Sequence, residues 1–173
     1  EEGSTPVPFV TPQLKSPNRP MVHWDSLTDW QTDNASTYVV SHYNKPELAS
    51  GDWRLNIAGF VERPATFSLA DLKMRPRQEL LATLECGGNG ASPTFLGAVA
   101  NVRWTGTPLA PLLKECGIKK RGLEVAFFGA DQKQEKVREQ DFEMRFSRSL
   151  ALGDALRDDV RLCWEMNGQP LPR

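Results

Sequence analysis

The sequence predicts an α+β domain built on a mixed β-sheet with short helices. Three observations carry that prediction. Segments of strand length and strand composition recur along 173 residues, which is enough chain for one domain or a domain with an extension. Helix signals are few, and each is bounded within about ten residues by a breaker. Strand-like and helix-like segments alternate irregularly, which argues against a doubly wound parallel fold.

Residues 1–20 hold five prolines and little apolar periodicity, so they read as an extended arm ahead of a domain spanning 21–173. Residues 23–30 are aromatic and acidic, and Asn34-Ala35-Ser36 reads as a turn; as a glycosylation triplet it is a common chance match. Residues 37–42 are β-rich and break at Asn44-Lys45-Pro46. Residues 53–59 alternate apolar and polar, as a half-buried strand does. Ser68-Leu69-Ala70-Asp71 has the form of a capping box, in which the Ser oxygen takes an orphan amide, and Pro76 ends that short helix.

Residues 77–85 read as a core strand. Thr107-Pro108 is expected to cap a second helix, with proline in its first position and Gly117 closing it. Residues 123–129 read as a buried strand, 132–141 as a charged loop or edge hairpin, 149–156 as helix and 160–166 as strand. Asn167-Gly168 is a strong turn signal. After it, Gln169-Pro170-Leu171-Pro172-Arg173 offers no obvious returning strand, so the chain is expected to stop short of a complete domain.

Composition removes several function classes. Hydrophobic residues are 39%, charged residues 25% and the formal net charge is −1, so no basic excess points to nucleic acid or anionic lipid. No apolar stretch approaches the roughly 20 residues that span a bilayer. The chain opens on Glu1 without a methionine, which leads to the expectation of a processed, exported (periplasmic) protein rather than a cytoplasmic one. Three scattered cysteines and two histidines form neither a disulfide framework nor a zinc pattern.

Cys86 is the residue with the most chemistry around it. An apolar run, Leu80 to Glu85, delivers its thiol to the mouth of a glycine-rich turn, Gly87-Gly88-Asn89-Gly90. A thiolate there can be a nucleophile or a soft metal ligand. A buried, inert cysteine is the alternative on local sequence alone.

Five blocks extend the argument beyond Cys86. They are Ser41-His42 followed by Pro46; Arg54-Leu55 with Gly59; Thr83-Leu84-Glu85-Cys86-Gly87-Gly88-Asn89; Ala98-Val99-Ala100-Asn101-Val102-Arg103-Trp104-Thr105-Gly106; and Glu165-Met166-Asn167-Gly168-Gln169-Pro170-Leu171-Pro172. In this order they resemble the sulfite oxidase family of molybdenum enzymes. The resemblance implies that family's molybdopterin-binding fold and a molybdenum–molybdopterin cofactor (Moco). It implies that Cys86 is both the protein's metal ligand and its catalytic residue. It places cofactor contacts at Tyr38, Val39, Val40, Ser41, His42, Asn89 and Asp131.

The family's anion pocket is altered. Val40, Gly90 and Ala91 stand where arginines are expected, and Phe146 stands where a tyrosine is expected; Arg148 is the nearest candidate to restore a charge. The resemblance therefore implies an oxidoreductase acting on a small sulfur compound less charged than sulfite. Electrons would pass to a c-type cytochrome or another haem protein. A homodimer would form through a C-terminal domain beyond this chain. The alternative is a non-catalytic subunit of the same fold that binds a partner.

Overall fold

In the computed structural model, residues 27–40, 43–90 and 97–171 are described. The arm at 1–20, Ser41, His42, Ala91 and Pro172 lie outside them. Eight strands and three short helices make up the described chain: β1 Arg54–Ile57, β2 Ala65–Ser68, α1 Leu69–Lys73, β3 Gln78–Glu85, β4 Val99–Pro108, α2 Leu109–Cys116, β5 Glu124–Val137, β6 Gln140–Ala151, α3 Leu152–Ala155, β7 Arg161–Met166 and β8 Gln169–Pro170. The α+β class with short helices holds. β1 pairs with β2, β5 with β6, and the four-stranded sheet has the order β3-β4-β7-β8. The chain divides into two compact units, one of residues 1–40 and 81–103, the other of 41–80 and 104–173.

In the first unit, Asp33 makes the anticipated turn. Its carboxylate accepts from the amides of Ala35 and Ser36 and from the Ser36 hydroxyl, and these bonds hold its pKa below the ordinary carboxylate range. Asn101 ties that segment to β4: the Thr32 amide donates to the Asn101 carbonyl, and the Asn101 side chain donates to the Trp30 carbonyl. Residues 38–40 form no strand. The β-rich composition of 37–42 therefore misleads, because residues 38–40 join no ladder. β3 is also less buried than a core strand; it is the edge of its sheet, and Leu81 and Leu84 are both more than two-fifths exposed.

The second unit holds two buried apolar clusters. Val61, Phe67, Leu72, Leu112, Cys116 and Trp164 form one buried cluster, and Leu109, Leu113 and Ala155 form another. Apolar residues three and four apart on α2 feed both clusters, as the helical period requires. α1 begins with the expected capping box between Ser68 and Asp71. α2 begins one residue later than expected. Pro108 occupies its N-cap, while Thr107 is buried in β4 opposite Leu162 and caps nothing.

Of the two readings of 132–141 the hairpin holds, and two further expectations change. Residues 124–151 form one long hairpin, closed by Arg138 and Glu139, both with positive φ. β6 runs on to Ala151, so of the 149–156 helix only Leu152–Ala155 is helical. After Asn167-Gly168, both left-handed as a tight turn demands, the chain does return: β8 pairs Glu165 with Pro170 and Met166 with Gln169.

Candidate functional site

The first unit places Cys86 as the sequence suggests. β3 ends at Glu85, and Cys86 opens a tight turn in which the Asn89 amide donates to the Cys86 carbonyl at 3.0 Å. The Cys86 amide donates to the Ala98 carbonyl at 2.9 Å, which fixes the residue against the start of β4. Its sulfur is partly exposed and accepts from the Gly88 amide at 3.4 Å. The backbone thus presents the sulfur with a donor aimed at it, as ligating thiolates are commonly supported. Among the described residues, a Cβ added at Gly87 would meet nothing within 4 Å. Gly90 has φ +84°, a conformation that favours glycine.

The other two cysteines are fillers. Cys116 is 1% exposed in the core, and Cys163 lies half-buried on β7. Burial pushes both thiols up in pKa, which keeps them protonated and unreactive.

Tyr38 is brought into the electrostatic reach of Cys86. Burial raises the phenol's pKa first, and the nearby Cys86 and Glu85 add to it. The phenol is therefore a neutral O–H donor at ordinary pH. Val39 is half-buried and Val40 is 54% exposed. Ser41 and His42 fall outside the described residues. The Asn89 carboxamide is used internally, on Glu85 and on both backbone groups of Ala98.

Asp131, Phe146 and Arg148 belong to the second unit. Asp131 sits at a bulge within β5, where the register against β6 shifts between Phe128 and Gln132, rather than in a turn. Its carboxylate folds back over the Gly129 backbone, filling the place a Cβ would take. Tyr43 and Asn44, which the sequence did not single out, are held at this bulge. The Asn44 side chain accepts from the Gln132 amide at 2.7 Å. Burial, then Glu135 and Asp131, raise the Tyr43 pKa. The signal for Asn44 was present, since it follows the Ser41-His42 block by two residues. Arg148 is exposed and stacks over the Phe146 ring at 4.5 Å. An open cleft of about 660 Å3 in the same unit, lined by Gln78, Glu79, Pro111, Lys114, Asp158 and Arg161 among others, contains none of these residues.

No group of three or more His, Cys, Asp or Glu is placed to hold a metal among the described residues. A bare ion would find too few protein ligands here. A metal that brings its own sulfur donors and needs one more thiolate fits Cys86 and its glycine turn.

Comparison with known proteins agrees with that donor chemistry. Residues 42–173 match the model of the oxidoreductase molybdopterin-binding domain. The chain is 31% identical over 159 residues to sulfite oxidase of Gallus gallus, covering 82% of this chain and 33% of that protein. It is 34% identical over 109 residues to an NADH nitrate reductase of Solanum lycopersicum, covering 54% of this chain and 12% of that one. Among solved structures it resembles the sulfane dehydrogenase SoxCD from Paracoccus pantotrophus, with a TM-score of 0.74 and 27% identity over 90% of this chain and 43% of that one. The chain thus spans a third or less of these curated relatives.

Proposed function

This chain belongs to the sulfite oxidase family and carries its molybdopterin-binding domain, and on that premise we propose that it serves an oxidoreductase moving an oxygen atom to or from a sulfur compound. The observation that carries the reading is the setting of Cys86: a half-exposed thiol at a strand end, pinned through its own amide, with a backbone N–H on its sulfur and, among the described residues, space beside Gly87.

The molybdenum cofactor, when bound, supplies the oxygen-atom and electron chemistry. The chain's residues hold and orient it. Cys86 is the thiolate ligand, a soft donor for a metal already ligated by sulfur. The Gly88 amide limits rotation of that sulfur and withdraws charge from it. Tyr38 keeps its proton, because burial and then the nearby Cys86 and Glu85 raise its pKa. The family resemblance assigns Tyr38, Val39, Val40, Ser41, His42 and Asp131 to the pterin.

The substrate assignment follows from what replaces charge. Val40 is exposed and apolar, Gly90 and Ala91 carry no cation, and Phe146 carries no hydroxyl. A dianion gains most from paired guanidinium groups, so a neutral or singly charged sulfur compound suits this chain better. A sulfane-type sulfur is the class to test first, because the similar SoxCD is a sulfane dehydrogenase. The electron acceptor in this reading is a haem protein, such as a c-type cytochrome.

The test uses the full-length protein. It is expected to carry molybdenum, to release a fluorescent pterin on denaturation and to oxidise a member of a sulfur-compound panel. Cys86→Ser is expected to abolish turnover and leave thermal unfolding unchanged, since it removes the soft donor and little volume. A molybdenum-free protein from a molybdenum-replete host, or near-parent turnover by the Ser variant, contradicts the assignment.

A further inference from the structure

We infer that Asn89 is a positioning residue for Cys86, acting through the Ala98 peptide rather than through contact with a ligand. The inference rests on the reading of Cys86 as the metal's thiolate. Asn89 lies three residues beyond Cys86, where its side chain could equally have faced the cofactor. Instead its Oδ1 accepts from the Ala98 amide at 3.1 Å, and its Nδ2 donates to the Ala98 carbonyl at 3.0 Å. One carboxamide thus engages both backbone groups of one residue, as a neighbouring strand would. A second, longer contact runs from Nδ2 to Glu85 Oε1 at 3.3 Å.

The Ala98 carbonyl is shared. It also accepts from the Cys86 amide at 2.9 Å, and the Asn89 amide returns to the Cys86 carbonyl at 3.0 Å. Cys86, Asn89 and Ala98 therefore form a closed ring of hydrogen bonds. Ala98 is fully buried, so its peptide has no access to water as a substitute partner. The backbone of Cys86 is held by the same carbonyl that Asn89 holds.

Asparagine is the residue type this geometry selects. Aspartate keeps the acceptor for the Ala98 amide but loses the donor for its carbonyl, and it sets a second carboxylate beside Glu85. Glutamine adds a methylene and displaces the paired contact. Alanine leaves a buried N–H unsatisfied, which is the costly way to lose a hydrogen bond.

Two measurements on full-length protein test the role. The first is hydrogen exchange at the Cys86 and Ala98 amides in the protein as purified. Asn89→Ala is expected to speed both by roughly tenfold or more, with Asn89→Asp intermediate, as loss of a buried bonding pair implies. Exchange equal to the parent in both variants overturns the clamp, whether or not the protein binds molybdenum. The second is the thiolate-to-metal charge-transfer absorption of the loaded enzyme, read with kcat and KM. Asn89→Ala is expected to keep its metal, shift that band and lower kcat with KM little changed. Faster exchange with an unshifted band and parent kcat overturns the positioning role. If Asn89→Ala does not fold, Asn89→Asp carries both measurements against the same outcomes.

Discussion

Gly106→Ala is expected to be among the most damaging single-methyl additions in the second unit. Gly106 lies at the irregularity between Thr105 and Gly106, where β4 faces Cys163 of β7. A Cβ there would stand 2.1 Å from the Leu162 carbonyl oxygen and 2.7 Å from the Cys163 Cα. Ordinary contact begins at 3.4 Å, so β4 and β7 would have to part by more than 1 Å against backbone, which has no rotamer to yield. Overpacking of this kind costs about 1–3 kcal/mol. Parting the strands also weakens the ladder bonds on either side, about two of them at about 1 kcal/mol each. The sum is about 3–5 kcal/mol, which lowers the melting temperature by roughly 6–20 °C for a chain of this size. Urea unfolding with an unchanged slope is the assay, with Gly87→Ala as the control, expected to lie within about 0.5 kcal/mol of the parent. A Gly106→Ala protein within about 1 kcal/mol of the parent refutes the argument, because the strands would then be free to separate at no cost.

Two other outcomes are expected. Thr105 is fully buried and its hydroxyl finds no hydrogen-bond partner among the described residues, so Thr105→Val should stabilise by about 1 kcal/mol in the same unfolding assay, since it removes an unpaid desolvation. Val40→Arg combined with Ala91→Arg should raise kcat/KM for sulfite by roughly tenfold or more, since each charge-assisted contact is worth about 1.5–3 kcal/mol; no gain would show that the pocket takes its charge from elsewhere, with Arg148 the first residue to examine.

The parts of the fold legible in the sequence were those with a local cause. The capping box at Ser68 and Asp71, the left-handed Asn167-Gly168 turn and the strand ending at Cys86 each rest on residues within one turn of each other. The long hairpin was half legible. β6 alternates, with Phe142, Met144 and Phe146 between Asp141, Glu143, Arg145 and Ser147, but it buries almost nothing along its length, and its density of charge reads as that of a loop. The start of α2 was misplaced because Thr107 is claimed by β4 pairing, a contact with Leu162 far along the chain. At the site, the motif identified Cys86 and Asn89 as residue types. It did not show that the Asn89 carboxamide is engaged by Ala98, because those bonds join residues nine positions apart and no local pattern marks them. Nor did it reveal Tyr43 and Asn44 at the β5 bulge, which require the register of β5 against β6.

The central claim is that the Cys86 sulfur is bonded to molybdenum. X-ray absorption at the molybdenum edge of the full-length protein, parent against Cys86→Ser, tests it without reference to substrate. The parent should show one sulfur scatterer more than the variant, with molybdenum still present in both. Identical sulfur coordination in the two proteins would contradict the account and return Cys86 to the role of an ordinary strand-end thiol.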